Sequence, residues 1–199
     1  ALGQCFEALE EWPQAEAAFQ RVLAWDPNRP EARAGLGAAQ RMLGRYDEAL
    51  DNLTRAAAGS PQPGKAWLEV ARLEVLHQLQ EDKHDFAKAE DAIDRAAAAI
   101  PRDAKESVEP VLLRAEILAI QNNLTDAEIL LQNARHAHPD RVEFWTALAD
   151  LAGRRNDEKG ALAILDEAEQ ALHDRVELRV SRAVHLAAEP TPEHLAALD

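Results

Sequence analysis

A helical pattern that closes on proline recurs along this chain. In the stretch Asp47 to Pro61, DEALDNLTRAAAGSP, the residues Ala49, Leu53 and Ala56 stand three or four apart. That spacing puts them on one helix face. Pro61 marks the end, because an interior proline loses a hydrogen bond and clashes with the preceding turn. The pattern returns as Ala89, Ile93, Ala96 and Pro101, and then as Ala127, Leu131, Ala134 and Pro139. It stands earlier as Ala15, Phe19, Val22 and Pro27, and a fainter copy is Ala161, Leu165 and Ala168, with His173 in the place of the proline. A unit repeated at such a period cannot bury its apolar face alone, so neighbouring copies must stack to make a core.

Each copy follows a second helical stretch. The cleanest runs from Glu31 to Leu43 and carries Leu36-Gly37. The spacing frames repeats at 30–63, 64–103, 108–141 and 142–175, with a truncated repeat at 1–29 and an incomplete one at 176–199. The first contains Leu2-Gly3 and Phe6, with Trp12 in the place of Tyr46 and a closing turn Trp25-Asp26-Pro27-Asn28. The third is longer: Trp67 stands 22 residues before Ala89, where Arg33 stands 16 before Ala49. The six extra residues fall within Leu76–Asp85, which predicts a first helix longer by about a turn and then a solvated polar loop near Glu81–Asp85. Arg102–Val108 is a connector with about four residues beyond what the spacing requires. In the fourth repeat Asn122-Asn123 reads as the helix-to-helix turn and Thr125 as a cap for the second helix. In the fifth the turn is Arg155-Asn156-Asp157. A last helix is expected at Val176–Ala188, and another starting at Thr191.

These residues resemble the tetratricopeptide repeat family, whose pattern is W-x2-L-G-x2-Y, then A-x3-F, then P, over 34 residues. Residues 30–63 keep Leu36, Gly37, Ala49 and Pro61, while Arg33 and Gln40 replace the Trp and Tyr and Leu53 replaces the Phe. The resemblance implies an all-α fold, a right-handed α-α superhelix of antiparallel helix pairs. Small residues explain how close the helices come. Gly37, Ala71, Ala115 and Ala149, with Ala49, Ala89, Ala127 and Ala161, are expected where axes cross at about 8–10 Å.

In the family the first helices line a concave groove, with groove-facing positions near the second, fifth, ninth and twelfth residues of a repeat. Here the resemblance places Gln4 and Glu7 there, then Glu31, Ala34, Ala38 and Arg41, then Lys65, Leu68 and Arg72. Glu109, Leu112, Glu116 and Ala119 follow, and last Glu143, Thr146, Asp150 and Gly153 with Arg154 beside them. Family members that hold a chaperone's C-terminal carboxylate use Lys and Asn at the fifth and ninth positions. This chain has Ala34 and Ala38, or Leu68 and Arg72, so that clamp is absent, as are the long asparagine ladders of glycosyltransferase members. A long groove suits a peptide or partner helix, here a basic or amphipathic one at the end formed by Glu109, Glu116, Glu143 and Asp150.

The charge balance agrees. Twenty-two basic against 36 acidic side chains leave a net charge of −14, which repels phosphate backbones and argues against nucleic acid as a partner. No apolar run approaches the ~20 residues of a membrane span. No secretory leader opens the chain, and residues 1–9 already lie inside a repeat, as expected of a window on a longer protein. Cys5 stands alone, so no internal disulfide forms and no compartment is excluded; a soluble chain is expected, with the cytoplasm slightly favoured.

No motif points to catalysis, a cofactor or a metal. Gly59 to Ala66, GSPQPGKA, superficially matches a phosphate-binding loop, but a helix precedes it, Pro61 and Pro63 remove two donors and Ala66 replaces the magnesium-binding hydroxyl. It reads as an inter-repeat turn. His136 and His138 lack companion ligands and suit a helix C-terminus. His77 and His84 read as a solvated helix end, Cys5 as a small core residue, and Trp67 and Trp145 as packing anchors. The expected function is therefore a non-catalytic scaffold that binds a partner protein. One alternative is the substrate-recruiting region of a larger enzyme, such as a transferase. Another is a structural array that self-associates through apolar ends at residues 1–9 and 193–199.

Overall fold

Short turns with proline just inside the next helix set the element boundaries. Pro13, Pro30 and Pro63 each occupy the first or second position of a helix, where a missing N–H has no intrahelical bond to lose. The structure, a computed structural model, describes Gly3, Phe6 and residues 8–188, with backbone alone at Ala188. Gly3, Phe6 and Ala8 are helical, no described residue lies in a strand, and from Trp12 onward there are ten α-helices. They are α1 (Trp12–Trp25), α2 (Pro30–Met42), α3 (Tyr46–Gly59), α4 (Pro63–Gln80), α5 (Ala87–Ala99), α6 (Glu109–Ile120), α7 (Leu124–Ala137), α8 (Val142–Arg154), α9 (Glu158–Leu172) and α10 (Val176–Ala188). A 3-10 turn, Lys105–Val108, fills the long connector before α6. The helix expected from Thr191, the apolar ends at 1–9 and 193–199 other than Gly3, Phe6, Ala8 and Leu9, and the candidate residues Gln4, Cys5 and Glu7 lie outside the described residues.

The chain forms two compact units, Ala1–Pro110 and Val111–Asp199. In the first, α1 packs on α2, α2 on α3, α3 on α4 and α4 on α5. Links of a few residues make such neighbours antiparallel. In the second, α7 packs on α8, α8 on α9 and α9 on α10, and α8 also touches α10. A first helix thus meets the first helix of the next repeat, as stacking of helix pairs requires.

The expected seam is buried. Ala49, Ala71, Ala89, Ala127, Ala149 and Ala161 have no exposed surface, and Ala115 very little. In the N-terminal unit Phe19 packs among Ala15, Ala32, Leu36 and Ala39. In the C-terminal unit Leu165 packs among Trp145, Ala149, Ala161, Ala168 and Leu178. Each anchoring tryptophan carries an arginine over its ring, Arg95 at 4.6 Å from Trp67 and Arg135 at 4.5 Å from Trp145, and Trp145 Nε1 donates to Pro139 O at 3.0 Å. These are cation–π contacts on side chains whose main role is filling the core.

The turns inside the helix pairs share a feature that composition did not reveal. Glu10, Gly44, His84, Asn122 and Asn156 all have φ between 51° and 76°. Each stands five residues before its seam alanine, Ala15, Ala49, Ala89, Ala127 or Ala161. One left-handed residue at a fixed place reverses the chain and aims the second helix back along the first.

The insert behaves as its composition predicts. α4 has 18 residues against 13 for α2, and Glu81–Asp85 are exposed. His77 is different from the expectation: rather than lying solvated, it is half-buried and stacks on Tyr46 at 5.8 Å between ring centroids. The extra turn of α4 reaches the start of α3, where Gln80 Nε2 also donates to the Tyr46 hydroxyl at 3.0 Å. The cap of α7 is also corrected. Asn123, not Thr125, accepts from a backbone N–H, that of Asp126 at 3.4 Å, because the helix begins at Leu124 and leaves Thr125 inside its first turn. In the next repeat Asp157 Oδ1 accepts from Gly160 N at 2.9 Å in the same way.

Candidate functional site

The C-terminal unit holds a cleft of about 210 Å³ between α6 and α8. Five of the residues expected in the groove line it: Leu112, Glu116 and Ala119 from α6, Asp150 and Arg154 from α8. Leu131 and Leu151 supply apolar floor. Glu116, Asp150 and Arg154 are exposed and Leu112 is half-buried. The wall is thus apolar at depth and charged at the rim, with two carboxylates against one guanidinium. Glu143 and Thr146 sit half-buried on α8, where Thr146 Oγ1 donates to Glu143 O at 3.1 Å.

Asp150 has a partner that the sequence did not suggest. His185 of α10 lies buried with Nε2 3.3 Å from Asp150 Oδ1 and Nδ1 2.9 Å from Glu158 Oε2. Gly153 makes room for the ring, since a Cβ there would stand 2.8 Å from His185 Cε1. Next to it on α10, Val176, Val180 and Val184 are 61%, 58% and 60% exposed. Val180 and Val184 follow the groove positions Thr146 and Asp150 by one 34-residue period, so extending the groove register by one repeat would have found these two, though not Val176.

In the N-terminal unit Lys65, Leu68, Arg72 and Glu109 line a larger cleft of about 500 Å³. Its cations are already engaged. Lys65 Nζ pairs with Glu106 at 2.8 Å, and Arg72 pairs with Glu69 at 2.7 Å and with Glu109. The hydrogen bond to Glu106 holds the Lys65 ammonium above its usual range, and Lys65 in turn holds the Glu106 carboxyl low. Burial pushes Arg72 down, but the hydrogen bond to Glu109 and the charges of Glu69 and Glu109 outweigh it and move the group upward. An anionic ligand would have to displace these carboxylates. Glu31, Ala38 and Arg41 lie on α2 and do not line this cleft; Glu31 is 3.9 Å from Arg29.

The Gly59–Ala66 stretch runs from the last residue of α3 through a turn at residues 60–62 into the first turn of α4, with Ser60 Oγ accepting from Gln62 N at 3.1 Å. His136 lies in the last turn of α7, and His138 is its C-terminal cap. Among the described residues no three His, Cys, Asp or Glu side chains converge as a metal-holding group, and no helix is long and apolar enough to cross a membrane.

Comparison with known proteins gives a consistent family. The tetratricopeptide repeat matches residues 6–73 and again residues 112–174. The chain is 27% identical over 203 residues to human protein O-mannosyl-transferase TMTC1, covering 87% of this chain but 23% of that protein. It therefore spans under a quarter of that relative's length. Among solved structures, the thermophilic TPR protein TTC0263 of Thermus thermophilus is 26% identical with a TM-score of 0.60, over 94% of this chain and 96% of the other. A tetratricopeptide repeat protein of Parabacteroides merdae is 17% identical with a TM-score of 0.67, over 98% of this chain and 73% of the other. With helix pairs, a buried small-residue seam and two family matches that together cover most of it, the chain belongs to the tetratricopeptide repeat family.

Proposed function

We propose that this chain is a protein-binding scaffold whose C-terminal unit takes a basic or amphipathic segment of a partner protein. The observation that carries this is the cleft between α6 and α8, which sets exposed Glu116 and Asp150 above the apolar side chains of Leu112, Leu131 and Leu151. Such a surface matches a helix or extended peptide that presents cations along one edge and apolar groups along the other. The N-terminal cleft favours the same assignment by contrast, because its Lys65 and Arg72 are already neutralised from within. The test is to recover the partner by pull-down and titrate it against Glu116→Lys and Asp150→Lys. Affinity should fall at least about tenfold for the double reversal; unchanged affinity removes the cleft from the interface.

A second reading has its own support. The 27% identity to an O-mannosyl-transferase, over a stretch that is 23% of that protein, favours a repeat region that presents substrates to a catalytic domain elsewhere in a longer protein. Under that reading the cleft binds the acceptor protein. Sequencing the flanks of the parent gene decides: a transferase domain beside the repeats supports it, and its absence removes it.

A further inference from the structure

We propose that His185 gates the acidic cleft of the C-terminal unit: its protonated ring holds Asp150, and a cationic side chain of the partner competes with that ring for the same carboxylate. This gate rests on the cleft reading given above. The ring is 6% exposed and stands between two carboxylates from two other helices, Asp150 on α8 and Glu158 on α9. An imidazolium offers an N–H at each nitrogen, whereas the neutral ring offers one N–H and one lone pair. A lone pair aimed at a carboxylate repels it, so only the charged ring is attracted to both carboxylates at once.

The two contacts are unequal. Nδ1 lies 2.9 Å from Glu158, whose side chain is 14% exposed, whereas Nε2 lies 3.3 Å from Asp150, whose side chain is 63% exposed, and makes no aligned hydrogen bond. On losing its proton the ring keeps its N–H toward Glu158, and Asp150 is released to the cleft. The other charges around the ring do not replace this contact. On α8 the neighbour is Arg154, which lines the same cleft as Asp150. On α9 the group facing the ring is Glu158 itself, with Lys159 beside it in sequence and exposed. On α10 Arg182, one turn back, is held by Asp166 at 2.7 Å and Glu169 at 3.1 Å. Ser181 Oγ, a turn below the ring, is buried without a partner.

Proton and partner are linked reciprocally through Asp150. Binding of a basic segment should therefore strengthen as pH rises through the range in which histidine changes charge, while the partner's Lys and Arg stay charged. The probe is a synthetic amphipathic peptide of alternating lysine and leucine, titrated against the intact chain between about pH 5.5 and about pH 8. Affinity should rise about fivefold across that range, and His185→Gln should abolish the rise by holding affinity at the high-pH level. A second arm needs no change at His185 and no ligand: the ring is followed by NMR in the intact chain and in Asp150→Asn, and its titration midpoint should move down in the variant. A midpoint that stays put overturns the gate whatever the peptide does. Binding with the same pH slope in His185→Gln also overturns the gate and leaves the cleft reading intact. A midpoint that moves, with no peptide binding at any pH, sinks the cleft reading and the gate built on it, leaving only the ion pair.

Discussion

His84 and Gly44 hold the same left-handed backbone conformation in equivalent turns, each five residues ahead of a seam alanine, at φ of 51° and 76°. Glycine adopts it without cost, whereas a side chain with a Cβ pays on the order of 1 kcal/mol. His84 is exposed in the loop of the insert, with its ring edge-on to Phe86 at 6.3 Å between centroids. His84→Gly should therefore stabilise the chain by about 0.5–1 kcal/mol. Gly44→Ala should destabilise it by a similar amount, and for conformational reasons alone, since a Cβ there would meet nothing within 4 Å. Urea midpoints of the two variants check this; shifts in the same direction would contradict the equivalence of the turns.

The helix crossing at Gly37 tests the seam itself. A Cβ on Gly37 would stand 2.7 Å from Leu53 Cγ and 3.0 Å from the Ala49 carbonyl oxygen. Leu53 can shift, but the backbone oxygen cannot without moving α3. Gly37→Ala gains about 1 kcal/mol in helix propensity and loses about 1–3 kcal/mol by overpacking, so it should be neutral to clearly destabilising despite the better helix former. Ala127→Leu, at a residue with no exposed surface, has no propensity gain to offset it and should lose about 1–3 kcal/mol. A raised melting midpoint in either variant would show that the seam has room.

How much of this was legible follows from what kind of force fixes each feature. The seam alanines, the prolines and the longer α4 were readable, because burial and backbone chemistry write them into single residues at a fixed period. The turns at Asn122-Asn123 and Arg155-Asn156-Asp157 were readable from their residue types, but the left-handed backbone that recurs at Glu10, Gly44, His84, Asn122 and Asn156 was not, because the tertiary period imposes it even on Glu10 and His84. Register named Leu112, Glu116, Ala119, Asp150 and Arg154, and these side chains line one cleft. What register could not supply was pairing: Lys65 and Arg72 looked available in sequence and are neutralised by Glu106 and Glu109. The His185 contact with Asp150 and Glu158 joins three helices through space, and no local pattern announces it.

Glu74 predicts a pH dependence of stability with a definite sign. It is 7% exposed on α4, and burial pushes its carboxyl above the usual range despite the opposing charges of Lys88 and His77. Between the ordinary glutamate pKa and the raised one, the folded chain therefore holds a proton that the unfolded chain has released. Its stabilising share is complete below the ordinary glutamate pKa and is lost as pH rises through the raised folded value. Glu74→Gln keeps the shape and removes the titration. The variant should gain on the parent as pH rises, by a few tenths to about 1 kcal/mol at neutrality, and show no gain near pH 4. Urea denaturation of both chains between about pH 4 and about pH 7 measures the difference, and taking the difference cancels the other carboxylates. A gap that shrinks with rising pH would mean that Glu74 is stabilised as an anion.

Arginines pin successive repeats from the turns, and the pins should answer to salt. Arg45 reaches Glu16 at 2.6 Å and also Glu48, and its hydrogen bonds to both raise its pKa. Arg155 binds Glu128 and donates to Leu124 O at 2.8 Å. Glu16 and Glu128 are equivalent, each following its seam alanine directly, so one device serves both units. Arg155 and Glu128 are each about a third exposed, which limits the ion pair to about 0.2–1 kcal/mol. Arg155→Ala should cost somewhat more than Glu128→Gln, because it also leaves the Leu124 carbonyl without its guanidinium donor. A double-mutant cycle on Arg155 and Glu128 should give a coupling within that range, reduced by half or more at about 1 M salt. A coupling that survives high salt unchanged would show that the pair acts through packing of the arginine stem rather than through charge.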